Sequence, residues 1–341
     1  MPSCPAVEPL PDLPPAPAPP PRKSALAFFA VLLALFLPGM LAQAAAGPAG
    51  LAWTEVFSFL LPALVATAGS NLKAGPWLKL GRPRAATVLV GAAVGAAGYL
   101  FAGAAMAIAQ RLLPARWVAI FDLAQLFEGP AWERLAIAGA AVLLAPVCEE
   151  VAFRGYLQSA LALRRGSAAT IAGSALLFAI IHLDPVRFPA LLALGAVFAW
   201  LVWRSGSVWP AVAAHAVNNG ITAGLVLALG VPEPAGPPPA RDLALALAMG
   251  AAALALLLRA FHAVTPEPPP PGAAVALRDP ASPSIAFSAA RVPRSLGWAV
   301  AAGVALLAAL LALAGPPERR EVPPRMPTAP GEPAPGGDRE R

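Results

Sequence analysis

Charge is scarce in this sequence. Of 341 residues only 12% are Asp, Glu, Lys or Arg, while 58% are hydrophobic and the mean hydropathy is +0.68. Those values exclude an ordinary water-soluble domain and a chain disordered throughout. Lysine occurs only as Lys23, Lys73 and Lys79. The arginines are scattered through short segments between apolar runs, so a net charge of +6 and a pI near 10.1 do not point to a nucleic-acid partner. The basic excess reads instead as membrane topology and attraction to anionic lipid. Cysteine is limited to Cys4, in a proline-rich tail, and Cys148, inside an apolar run, which argues against a structural disulfide. Histidine is limited to His182, His215 and His262, so imidazole chemistry has few places to occur.

Long apolar runs are plentiful. They cover about 25–46, 51–68, 86–109, 136–163, 168–182, 188–203, 208–229, 243–258 and 296–314. Most approach the roughly 20 residues that cross a bilayer. The expected fold is therefore all-α, a polytopic bundle of about nine transmembrane helices. Basic residues before the first run and Ala42-Gln43-Ala44 after it also resemble a signal peptide, but the length of the run favours a span.

The segments divide as follows: 1–24 a disordered proline-rich tail; 25–134 the first helices and an interfacial stretch with Trp117, Phe121, Phe127 and Trp132; 135–230 a core; 231–315 further helices with a proline-rich loop; 316–341 a second disordered tail. Gly91 and Gly95 have the small-xxx-small spacing that lets helices approach closely. Basic residues concentrate in alternate short loops, as in Lys73, Lys79, Arg82, Arg84, Arg164 and Arg165, which places the N-terminus in the cytoplasm. The expected location is the cell membrane, a bacterial inner membrane if the Ala-, Pro- and Arg-rich composition reflects a GC-rich genome.

Against this background Glu149, Glu150 and Arg154 stand out, three charges within six residues of an apolar run. Charge at bilayer depth is costly, faces the bundle interior and often marks function. Glu150 and Arg154 are four apart and can pair along one helix face. Glu149 points about 100° away, free to face a cavity. His182 ends the fifth run; His215, Asn218 and Asn219 lie in the seventh, with His215 and Asn219 on one face. His262 lies outside this set, at a span end.

Each of these has a bland counterpart: a structural Glu–Arg pair, an interfacial histidine, interhelical hydrogen bonds. Together they can support hydrolysis. An apolar site tunes a carboxylate toward general-base work, an imidazole can orient water, and imidazole and carboxamide donors can stabilise an oxyanion. A second arrangement uses Glu149, His182 and His215 as Zn2+ ligands, although no HExxH occurs. A third uses the same residues to bind a ligand or partner or to relay protons in a transporter.

Glu149-Glu150-Val151-Ala152-Phe153-Arg154 matches an EExxxR motif, Phe178-Ala179-Ile180-Ile181-His182 an FxxxH motif, and His215-Ala216-Val217-Asn218-Asn219 an HxxxN motif. In this order they resemble the CPBP family of intramembrane proteases, which includes type II CAAX prenyl endopeptidases and the Abi, or bacteriocin-immunity, proteins. The resemblance implies that Glu149 acts as general base with His182, that His215 and Asn219 form the oxyanion site, and that Glu150 and Arg154 support the geometry. It also implies a membrane-associated protein or peptide as substrate. Counting along the runs puts His182 nearer one membrane face and His215 nearer the other, so a re-entrant fifth segment or shifted helix ends are expected.

Overall fold

The computed structural model describes residues 24–70, 72–122, 126–127, 129–230 and 238–265. Apart from Ser24, the expected tails, the proline-rich loop after 265 and the ninth run lie outside the described residues. Among those residues there is no β-strand, and six helices are long and apolar enough to cross a membrane. They are α1 (Ala25–Gly69), α2 (Ala85–Leu112), α3 (Ala131–Ala162), α5 (Phe188–Ser205), α6 (Trp209–Leu229) and α7 (Ala240–Val264), with the shorter apolar α4 (Ser167–Ile181) between α3 and α5. The protein is a multi-pass membrane bundle, with apolar side chains such as Leu89, Leu143 and Leu256 pointing outward.

The first long helix accounts for two of the expected runs. Gly47 sits at φ 50 and ψ −119, a conformation that breaks the helix, and Pro48 follows without a backbone N–H. The chain reverses there. Thr54 Oγ1 donates to Gly39 O at 3.0 Å and Ser58 Oγ to Leu35 O at 3.0 Å, a register in which the two arms run antiparallel. A side chain at Gly39 would strike Thr54, so glycine is what lets the arms touch.

The fourth run begins earlier than expected. Residues Ala131–Gly139 are already helical, so Trp132 and Arg134 belong to the first turn of α3. Within α3 two stretches, Ala140–Leu144 and Val151–Leu157, are π-helical, with hydrogen bonds reaching back five residues. A π turn puts the backbone ladder out of step, and carbonyls are left over for other partners.

Two apolar clusters make up most of the interior. One joins the α1 hairpin, Trp77 and Leu78 of the loop before α2, α3 from Cys148 to Leu161, and Phe178 and Ile181 of α4. The other joins α2, α5, α6 and α7 around Val94, Phe198, Leu201, Ala214 and Phe261. Lipid tails are as apolar as these side chains, so close packing and buried hydrogen bonds hold the clusters together.

The small-xxx-small pair does what its spacing predicts. A Cβ on Gly91 would come 2.7 Å from Pro210 O, and one on Gly95 would collide with Ala214 O. The first turn of α6 is thereby level with the second turn of α2, so α6 starts deeper than its neighbour. Three carbonyls of the loop before α2 hold it there. Val208 N donates to Lys79 O at 3.0 Å, Trp209 Nε1 to Leu80 O at 3.1 Å and Ser207 Oγ to Gly81 O at 2.8 Å. The basic loop is thus partly an internal plug, with Leu78 fully buried and its carbonyl 3.0 Å from where a Gly155 side chain would begin.

Candidate active site

The site lies along the seam between the two apolar clusters, and Arg154 is its hub. This arginine has no exposed surface. Its Nη1 donates to Glu150 Oε1 at 2.9 Å, the expected pair four residues apart on one helix. Its Nη2 donates to Gly195 O at 3.2 Å, tying α3 to α5. The guanidinium lies 4.1 Å from the Phe178 ring centre and 5.6 Å from that of Phe198, one phenyl from each cluster. A buried cation is tolerated only with such full pairing.

His215 joins the same carboxylate. Its Nδ1 is 3.1 Å from Glu150 Oε1, and its ring stacks on Phe198 at 5.2 Å between centroids. A carboxylate only accepts, so Nδ1 carries the hydrogen and Nε2 is the nitrogen left for chemistry. His182 is oriented by similar means: its Nδ1 is 2.7 Å from Phe178 O, which also only accepts, leaving Nε2 with its lone pair. Both imidazoles flank Phe178, at 4.8 Å for His182 and 6.1 Å for His215. The separation in depth expected from counting along the sequence is removed by two features. The fifth run is a helix of 15 residues, about 22 Å long and short of the roughly 30 Å hydrocarbon core, and α6 starts deep.

Asn219 owes its position to a proline. Its Nδ2 donates to Ala141 O at 2.9 Å. In the π-helical stretch that carbonyl would accept from the residue five further on, as Ala140 O does from Ala145 N–H, but residue 146 is proline and has no N–H to give. Asn218 Nδ2 lies 3.3 Å from Asn219 Oδ1 and steadies the carboxamide. That bond to Ala141 O uses one of the two Asn219 Nδ2 hydrogens.

Glu149 is 8% exposed, and its Oε2 has no hydrogen-bond partner within the protein. It lies in electrostatic reach of His215, Glu150, Arg154 and Arg187. Arg187 belongs to the turn after His182, where its Nε donates to Asp184 Oδ2 at 2.5 Å. His262 lies apart from the site, accepting from Arg204 Nε at 3.0 Å and joining α5 to α7.

The structure thus gathers His182, His215, Glu150 and Arg154 around Phe178 with Glu149 beside them, and fixes Asn219 one turn further along α6 from His215. As to metal, no three His, Cys, Asp or Glu side chains among the described residues are grouped so as to hold an ion. No step below runs through a metal.

Two further ionisable side chains near Glu149 lie outside the motifs. Arg187 closes the short polar turn that follows His182, a turn in which Leu183 adopts φ 51, and an arginine so near a motif histidine was the signal for it. Glu55, buried in the second arm of α1, was legible as the lone acid of an otherwise apolar run.

No curated protein and no solved structure matches this chain. Residues 130–221, which hold all three motifs, match the family model described as Type II CAAX prenyl endopeptidase Rce1-like.

Proposed function

We propose that the protein is an intramembrane endopeptidase that cleaves membrane-associated proteins or peptides with water activated by Glu149. The observation that carries this reading is the pairing of a buried carboxylate lacking a full set of partners with two imidazoles whose Nδ1 atoms are both engaged elsewhere. Nothing in a purely structural polar cluster calls for two ring nitrogens held ready in this way.

In the reaction Glu149 takes a proton from water while the water oxygen attacks the scissile carbonyl carbon. His182 Nε2 accepts the other water hydrogen and orients the nucleophile. The carbonyl electron pair moves onto oxygen, and the oxyanion is met by Asn219 Nδ2–H and by His215, whose ring Glu150 holds through Nδ1. As the C–N bond breaks, Glu149 returns its proton to the leaving amine. Atoms and charge balance without a further reactant.

The test compares wild type with Glu149→Gln in liposomes, using a prenylated C-terminal peptide and a single-span transmembrane peptide as substrates. New termini seen by mass spectrometry with wild type alone would support the reading. Equal behaviour of two well-folded proteins would favour a binding or transport role for the same residues.

A further inference from the structure

Glu55 is a buried ionisable side chain that the mechanism above does not use. It is 4% exposed, and its Oε2 has no hydrogen-bond partner within the protein. It opens a π-helical stretch, Glu55–Leu60, in the second arm of α1. That stretch packs on the part of α3 that carries the acidic pair. A ring contact sets the register. Phe59, one turn after Glu55, lies 5.9 Å from Phe153, one turn after Glu149. The two segments therefore run parallel here with Glu55 level with Glu149, the two carboxyl groups are electrostatic neighbours, and Cys148 adjoins both. Glu149 Oε2 and Glu150 Oε2 are likewise buried without a partner, and of the two Glu149 is the electrostatic neighbour of Glu55.

Two carboxylate anions side by side in an apolar interior repel strongly, and such a pair keeps one proton. Their surroundings differ. Glu149 has Arg154, Arg187 and His215 in reach as well as Glu150, whereas the charged group facing Glu55 is Glu149. The anion belongs on Glu149 and the proton on Glu55.

We propose that Glu55 is a positioning residue of the active site: as a neutral carboxylic acid it donates a hydrogen bond to Glu149, directly or through one water, and aims the Glu149 carboxylate at the attacking water. The role rests on the reading of Glu149 as general base, and the test separates the two. Wild type, Glu55→Gln, Glu55→Met and Glu149→Gln are compared by infrared spectroscopy and by peptide cleavage. Wild type and Glu149→Gln should show a carboxylic-acid C=O band that Glu55→Gln lacks; absence of any such difference overturns the proposal whether or not the protein cleaves the probes. In cleavage, Glu55→Gln keeps a donor and should stay within about threefold of wild type, while Glu55→Met, similar in length but without a donor, should lose about 10- to 100-fold in kcat with KM and thermal stability retained. Full activity in Glu55→Met, or a loss in Glu55→Gln as deep as in Glu55→Met, overturns it. A band on Glu55 together with no cleavage by wild type would instead count against the endopeptidase reading and leave the protonated pair standing.

Discussion

His215 Nδ1 lies 3.1 Å from Glu150 Oε1, so the second glutamate of the acidic pair, and not the first, anchors the imidazole. The same oxygen receives Arg154 Nη1 at 2.9 Å. Glu150 is therefore more than a counter-ion for the arginine: it sets which nitrogen of His215 is available. Glu150→Gln should lower kcat by about 10²-fold with little change in KM, measured by peptide cleavage in liposomes, because the histidine loses the anionic acceptor that fixes its ring.

Asn219→Ala removes a donor aimed at the site and at the same time strands Ala141 O. Cleavage should slow by about 10²- to 10³-fold, and thermal unfolding should show a loss of about 1–3 kcal/mol. Asn218→Ala, which only steadies the carboxamide, should have the smaller effect on both readouts.

A methyl group on Gly95 would have to enter space already taken by the carbonyl of Ala214, the residue before His215. Gly95→Ala should therefore part α2 from α6, cost about 1–3 kcal/mol in thermal unfolding and lower activity by moving His215. Gly103→Ala, on the same helix with nothing within 4 Å of the new carbon, should be silent.

Lys79 gives a pH dependence. It lies outside the spans, its Nζ donates to Arg154 O at 3.1 Å, and burial of its ammonium end lowers its pKa from an ordinary 10.5 to about 7. Between those values the unfolded chain holds a proton that the folded protein does not, so stability rises with pH across that window and is flat below it. Thermal unfolding of Lys79→Met from pH 7 to 10 should lack this rise.

Much of the site was legible because its chemistry sits in short motifs on single helices. Glu150 and Arg154 pair through a four-residue spacing that any helix enforces, and Gly91 and Gly95 announce a close approach in the same way. What joins different helices was not legible. The meeting of His215 with Glu150 depends on how deep α6 starts, which three carbonyls of the loop at Lys79 to Gly81 decide. The runs at 25–46 and 51–68 meet at Gly47 and Pro48, where the chain turns back, yet only the hairpin's register brings Glu55 beside Glu149. Trp132, Glu133 and Arg134 look interfacial by residue type, and only the structure shows that all three lie in the first turn of α3.

The π turns of α3 also bear on how the protein is assembled. Gln158 N–H reaches back to Phe153 O, so the return to four-residue spacing passes over Arg154 O, the carbonyl that Lys79 takes. In lipid each such stranded carbonyl costs several kcal/mol. As the chain emerges from its N-terminus, Lys79 is already made when α3 enters the membrane, but Ala141 O must wait for Asn219, more than a span later. The hydrogen bond that finally completes the α3 backbone is thus the one that seats the Asn219 carboxamide, and a half-made bundle carries neither a finished helix nor a gathered set of motif side chains.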